Sequence, residues 1–246
     1  MTSLARALHA EVLKLRRTRA LWLALGAPFA IVLLYGLLVV TGGTSPSEEG
    51  WAASAQGMLG LWSMLMAPLY VALETALVNA IDHQANGWTH LFAVPVPRWS
   101  IHGAKLLVSI LLVGLSALLL AGGLLGTIAL LQGVGIGAGI RVPGSLIGAT
   151  ALYSYGATLA IIAIHHALSL RLQGFEWPLG VGIAATVFAT QVGRSEYWFL
   201  FPWSYPTVAA ASSNPDWRLY AVGLSVALAV IVGCASTYDT MHRDIT

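Results

Sequence analysis

The sequence predicts an all-α integral membrane protein of six transmembrane helices, and three observations predict it. Of its 246 residues 57% are hydrophobic and only 9% charged, with a mean hydropathy of +0.78, whereas a soluble domain carries roughly a quarter charged residues. Apolar runs recur along the chain, most of them long enough to cross about 30 Å of hydrocarbon at about 1.5 Å per residue. The basic residues then segregate. Arg6, Lys14, Arg16, Arg17, Arg19, Arg98, Lys105, Arg171 and Arg243 fall at one set of run ends and Arg141, Arg194 and Arg218 at the other; nine against three accounts for all twelve. The side rich in Lys and Arg faces the cytoplasm, so both termini are expected there.

In order, residues 3–19 place Leu4, Ala7, Leu8, Val12 and Leu15 on one helical stripe with Arg6, Arg16 and Arg17 opposite. Residues 1–20 therefore read as an interfacial helix lying on an anionic leaflet. The first span is 21–40, with Pro28 placed to kink it. It begins only after Arg19 and lacks a small-residue cleavage site, so it is expected to remain as a span rather than be removed as a signal peptide. The loop 41–56 contains Glu48 and Glu49 and no basic residue, which puts it outside. Spans at 58–80 and 106–131 follow, then a glycine-rich outer turn, GVGIGAGIRVPG, and a fourth span at 146–170 ending in His165, His166 and Arg171. A fifth apolar run, 178–192, is short for a span unless Phe175 and Trp177 extend it at the interface to 175–192. Residues 197–211, YWFLFPWSYPTVAAA, are apolar but interrupted by Pro202 and Pro206. They are expected to form a re-entrant or interfacial hairpin on the outer face, packed against protein. The sixth span is 218–236, followed by a short inner tail.

Between the second and third spans lies a polar segment, IDHQANGWTHLFAVPVPRWSIHGAK, far longer than a turn needs. Asp82 is placed to N-cap a short helix over 82–92, with Ala85, Trp88, Leu91 and Phe92 at three- and four-residue spacing. Pro95 and Pro97 stop it, since each lacks an amide donor and pushes the residue before it out of the helical region. A rigid, aromatic-bearing helix and turn of this length reads as a docking element for a partner.

No G-x-x-x-x-G-K-[ST], G-x-S-x-G or H-E-x-x-H occurs, so neither nucleotide hydrolysis by a P-loop nor the corresponding hydrolase or metalloprotease chemistry is expected; no catalytic and no metal site is assigned. His165 and His166 are adjacent and point about 100° apart on a helix, so they cannot chelate one ion together. Gly122 and Gly126 form a G-x-x-x-G that permits close helix packing. The single cysteine, Cys234, excludes an intrachain disulfide. Glu74 stands alone as an acidic residue well inside a span, where an ionised side chain costs at least roughly 2.5 to 3.5 kcal/mol. Either it pairs with Arg171, His165, His166 or water, or it lines a cavity and contacts what is carried. Trp203, between two prolines, is either an interfacial anchor or a cap over such a cavity.

Asp82-His83, Trp88, Leu91, Pro95-Val96-Pro97-Arg98 and Lys105 resemble the pattern between the second and third spans of exporter-type ATP-binding-cassette permeases, nearest the lantibiotic-immunity and bacitracin-resistance branch. Glu11-Val12-Leu13-Lys14-Leu15-Arg16-Arg17-Thr18 and Phe201-Pro202-Trp203-Ser204-Tyr205-Pro206 agree with it. The family has Glu where this chain has Asp82. The resemblance implies a half-transporter in a bacterial cytoplasmic membrane, with an elbow helix carrying Glu11, Lys14, Arg16 and Arg17 and a cytoplasmic coupling helix at 82–92. It implies two cytosolic ATPase subunits, which bind the ATP and Mg, and a second permease, identical or sister. It further implies an amphipathic substrate drawn from membrane lipid; nucleic acid is not an expected partner, and this chain itself is expected to hold no cofactor. Against this stand a secondary transporter or channel using Glu74 and a membrane anchor or assembly subunit.

Overall fold

The structure, a computed structural model, describes residues 2–15, 18–84, 97–172, 174 and 176–242, with backbone alone for 81–84. Every regular element among the described residues is helical. Helix α1, Ser3–Leu15, is the amphipathic helix expected from its stripe, turned with Ala7 and Glu11 inward. Helix α2, Arg19–Val40, buries Ala20, Ala24, Pro28, Ile31, Tyr35 and Val39, one stripe at four- and three-residue steps, and leaves Trp22, Phe29, Leu33 and Leu37 on its outer face.

The second span begins earlier than its apolar run. Residues Glu48 and Glu49, expected in a loop, open α3, Glu48–Leu61, because the Ser47 hydroxyl accepts from the Gly50 amide and both carboxylates sit in the first turn, where the helix dipole favours them. A π turn, Trp62–Met66, passes it into α4, Ala67–Gln84, with Ser63 bonded across to Ser154 at 2.7 Å. Trp51 is buried against the glycine-rich loop at Gly137, whose φ of +69° and missing Cβ are both needed for that contact. The Glu48 carboxylate accepts from the Arg141 amide at 3.2 Å, tying the two loops of that end together.

Helix α5, Arg98–Gly133, starts directly after Pro97 and is 36 residues long, well beyond the expected 106–131. Helix α6, Gly144–Arg171, and α9, Pro215–His242, likewise outrun their apolar cores. Hydropathy marks where apolar side chains lie, while caps and breakers decide where a helix stops.

Among the described residues five helices are long and apolar enough to cross a membrane: Arg19–Val40, Glu48–Ala80, Arg98–Gly133, Gly144–Arg171 and Pro215–His242. The remaining expected span coincides with α7, Glu176–Val192, of 17 residues, which reaches only about 26 Å at about 1.5 Å per residue. Residues 198–211 fold as two 3₁₀ turns, Trp198–Leu200 and Pro202–Ser204, and the seven-residue helix α8, Tyr205–Ala211.

Helices α2, α4, α5 and α6 share the main core, which includes Tyr35, Leu59, Tyr70, Val108, Leu120, Leu124, Ile161 and Ile162. Bilayer tails are as apolar as these side chains, so close packing and internal hydrogen bonds, rather than expulsion from water, hold such a core together. On α6 the small residues Gly156, Ala157 and Ala160 let α9 approach, with Val222 against Gly156 and the Ser225 hydroxyl 2.9 Å from the Ala160 amide. Helix α8 packs into the same cluster through Tyr205, Val208 and Ala209.

Candidate functional site

The most polar part of the interior is a seam between α4, α5 and α6. On α5, His102, Lys105, Ser109 and Ser116 follow one another at three-, four- and seven-residue steps and are all buried. Such spacing puts them on one face. Each meets a different partner. The Lys105 ammonium, with no exposed surface, lies 3.1 Å from Glu11 Oε2 on α1 and 3.2 Å from the Val78 carbonyl on α4. Glu11 Oε1 in turn holds Lys14 at 2.6 Å. Ser109 faces Glu74. Ser116 lies 3.0 Å from the Tyr70 hydroxyl and 2.9 Å from the Ala24 carbonyl, linking α5 to α4 and α2.

Around the same end, Asn79 Nδ2 is 3.3 Å from His166 Nδ1, the His166 and His102 rings lie 4.8 Å apart, and His102 Nε2 is 3.1 Å from the Ser236 hydroxyl of α9. Four helices are thus pinned together at one level. Arg171 bonds Asp239 at 3.1 Å at the same end, where both side chains are exposed.

Glu74 is fully buried, and among the described residues neither carboxyl oxygen has a hydrogen-bond partner. The Ser109 hydroxyl faces it without closing a bond of good geometry. Pairing with Arg171, His165 or His166, which the sequence allowed, is not made: none of them reaches the Glu74 carboxyl, and Arg171 bonds Asp239 instead. Both His165 nitrogens and the Trp203 indole nitrogen are also buried without partners among the described residues. Trp203 stands edge-on to His165 at 5.5 Å and stacks on Phe201 at 5.5 Å. His165 lies six residues before α6 ends, while Trp198, five residues earlier in the chain than Trp203, packs against Trp217 and Tyr220 in the first turns of α9. The aromatic segment therefore runs from one end of the bundle deep into it.

Of the residues singled out for partner docking, Trp88, Leu91 and Pro95 lie outside the described residues, as does most of the segment 82–92 expected to be a helix; Asp82 and His83 lie in the last turn of α4, so Asp82 continues that helix instead of capping a new one, and their side chains are outside the described set. Arg16 and Arg17 also fall outside. Pro97 caps α5, and Arg98 is its first residue. Glu11, Lys14 and Lys105, assigned from sequence to two separate elements, come together in one buried cluster. Sequence reasoning missed Asn79, His102, Ser109 and Ser116; the polar stripe on α5 was the signal that could have found the last three.

No curated protein matches the sequence. A sequence model described as "ABC-2 family transporter protein" matches residues 7–190, three quarters of the chain, from the first helix through α7. Proteins of this family are the multi-pass membrane components of ATP-binding-cassette transporters, generally not catalytic themselves and generally paired with ATPase subunits. A bundle of long apolar helices with a polar seam at one end fits that description, and the chain belongs to the ABC-2 family of transporter proteins as a membrane permease.

Proposed function

We propose that this permease is the membrane half of an ATP-driven exporter that removes amphipathic, membrane-active compounds, of the kind handled by lantibiotic-immunity and bacitracin-resistance transporters. Two cytosolic ATPases bind ATP and Mg, and a second permease, identical or sister, completes the pathway. Helix 82–92 is the coupling helix, with Trp88 and Leu91 as apolar anchors and Arg98 fixing the turn that follows. The observation that carries this reading is the Glu11–Lys105–Val78 cluster. It joins α1 to both helices that flank the 82–92 segment, so a push on that segment is borne by α1, α4 and α5 together. ATP binding can drive the change only by favouring one arrangement over the other.

For the cargo, two features support an amphipath. The polar groups inside the spans are gathered in one seam and many bond one another or the backbone across helices, whereas replacing the hydration of a sugar or ion takes several polar groups converging on one space. The segment 197–211 is a re-entrant hairpin whose aromatic side chains reach inward as far as His165, where Trp203 caps the interior. Irregular backbone at such depth is tolerated only when packed on protein, as α8 is on α6 and α9.

The test is expression with the ATPase, and a sister permease where there is one, in a sensitive host challenged with lanthipeptides, bacitracin and unrelated lipophilic drugs. Protection against the peptides is expected. ATPase stimulation by a polar solute with no protection against any of them overturns the substrate class. Glu74, a buried carboxyl without a hydrogen bond, is the observation that favours the rival reading, an ion- or proton-driven carrier. Purification without a stoichiometric ATPase decides for that rival.

A further inference from the structure

A groove of about 600 Å³ runs between α5 and α9, floored by Leu159 and Ala163 of α6. Helix α9 packs closely on α6 but stands off from α5 along most of its length, and only 11% of its most apolar window is buried. Where side chains could fill the gap the chain has Gly103, Ala229 and Gly233, so the hollow is written into the residues. Its walls are Ile110, Val226 and Val230, the last two 42% and 59% exposed. Polar groups gather at one end only: His102, Thr237 and Tyr238, where the His102–Ser236 bond draws α5 and α9 together. The His102 ring is buried there, and its Nδ1 has no partner among the described residues.

We infer that this groove holds one acyl chain of a membrane phospholipid, with the ester end at His102 and Tyr238. All three lining helices are long and apolar enough to cross a membrane, so in a bilayer the groove opens into hydrocarbon and its apolar walls offer water nothing to bond. Its lining runs from Val226 to Met241, roughly 22 Å at about 1.5 Å per residue, longer than the half-thickness of the hydrocarbon layer, about 15 Å. A second permease helix does not fit. A helix about 10 Å across and of that length occupies on the order of 1,700 Å³, more than the roughly 1190 Å³ of all unfilled space in the groove with its open side included. The tail of a cargo molecule has the same chemistry as a lipid tail, but in a bilayer the lipid is in vast excess and occupies the groove by mass action. This inference does not rest on the exporter reading, since it concerns the permease in any membrane.

The test uses the purified permease, without ATPase, in nanodiscs containing phosphatidylglycerol with a diazirine in its acyl chain. After irradiation, adducts are mapped by mass spectrometry. Yields at Ala163, Val230 and Cys234 are expected to exceed those at Phe29, Leu33 and Leu37 on the outer face of α2 at least fivefold. Ala229→Phe should bring the groove yield down to the α2 level and leave the α2 yield unchanged, which reports that the bundle is intact. Gly233→Val is the gentler filler, because a Cβ there meets only Leu106 at 3.6 Å. Adducts spread evenly over α2 and α9, or indifferent to both substitutions, overturn the inference in favour of ordinary surrounding lipid. Two other outcomes overturn it as well: displacement of groove adducts by excess cationic amphipathic peptide, which makes it a cargo site, and efficient permease-to-permease cross-linking through Cys234, which makes it an interface between copies.

Discussion

Glu11 and Lys105 show how one pair of charges can hold distant parts of a membrane protein. Both are almost wholly withdrawn from solvent, and a buried ion pair is costly to break from one side because the remaining charge is stranded. Lys105→Met is expected to destabilise the permease, though by less than the about 3 to 5 kcal/mol of a fully stranded charge because Lys14 still holds Glu11 at 2.6 Å, read as a lower midpoint of thermal unfolding in detergent. Adding Glu11→Gln should restore part of the loss; no restoration means the two residues act independently. Glu74 calls for the opposite result. Its carboxyl makes no hydrogen bond among the described residues, so Glu74→Gln, a neutral group of similar shape, should leave the melting midpoint unchanged or higher while protection against amphipathic compounds falls. Full protection in Glu74→Gln would make the residue a packing group. Sequence flagged all three residues, each for a different reason, yet the Glu11–Lys105 pairing was invisible because 94 positions separate the partners. Arg171 was misread for a related reason. Its partner Asp239 was assigned to a tail beyond the sixth span, whereas α9 continues to His242 and carries Asp239 alongside the end of α6.

Elements were legible where hydropathy and helix coincide and less so at their ends. The spans at 58–80, 106–131 and 146–170 lie within longer helices, because a Ser47 hydroxyl, a proline at 97 or a proline at 143 sets a boundary that an apolar average cannot see. The segment 198–211 breaks into short turns as its prolines require, but its depth, fixed by Trp203 against His165, depends on tertiary contacts no local pattern encodes. For helix 82–92 the expectation concerns the partner. Truncating a buried aromatic anchor commonly costs about 2 kcal/mol or more, so Trp88→Ala should weaken ATPase binding roughly thirtyfold, measured by co-purification, while the permease still inserts. Unaltered binding and substrate-stimulated ATPase activity in both Trp88→Ala and Leu91→Ala would reduce the segment to a connecting loop.

At the scale of the whole molecule, the contacts sort the chain into two ends. Glu11, His102, Lys105, Arg171, Ser236 and Asp239 meet at one, and Glu48 with Arg141, and Trp198 with Trp217, at the other. Among the described basic residues, Arg6, Lys14, Arg98, Lys105 and Arg171 lie toward the first, the end that the positive-inside rule leads us to expect in the cytoplasm. In a Cys234→Ala background, cysteines at Glu48 and Ser195 should react with an impermeant maleimide from outside and one at His90 only after the membrane is opened; external labelling at position 90 reverses the topology. The pair at the first end also imposes an order on biogenesis. Glu11 leaves the ribosome 94 residues ahead of Lys105, a delay of roughly 5 to 20 seconds at about 5 to 20 residues per second. During that interval the amino-terminal helix has Lys14 beside it but no anchor in the bundle, and the first two spans enter the bilayer unlatched. Nascent chains stalled before position 105 should therefore leave residues 3–15 open to protease, and chains stalled after the third span should not.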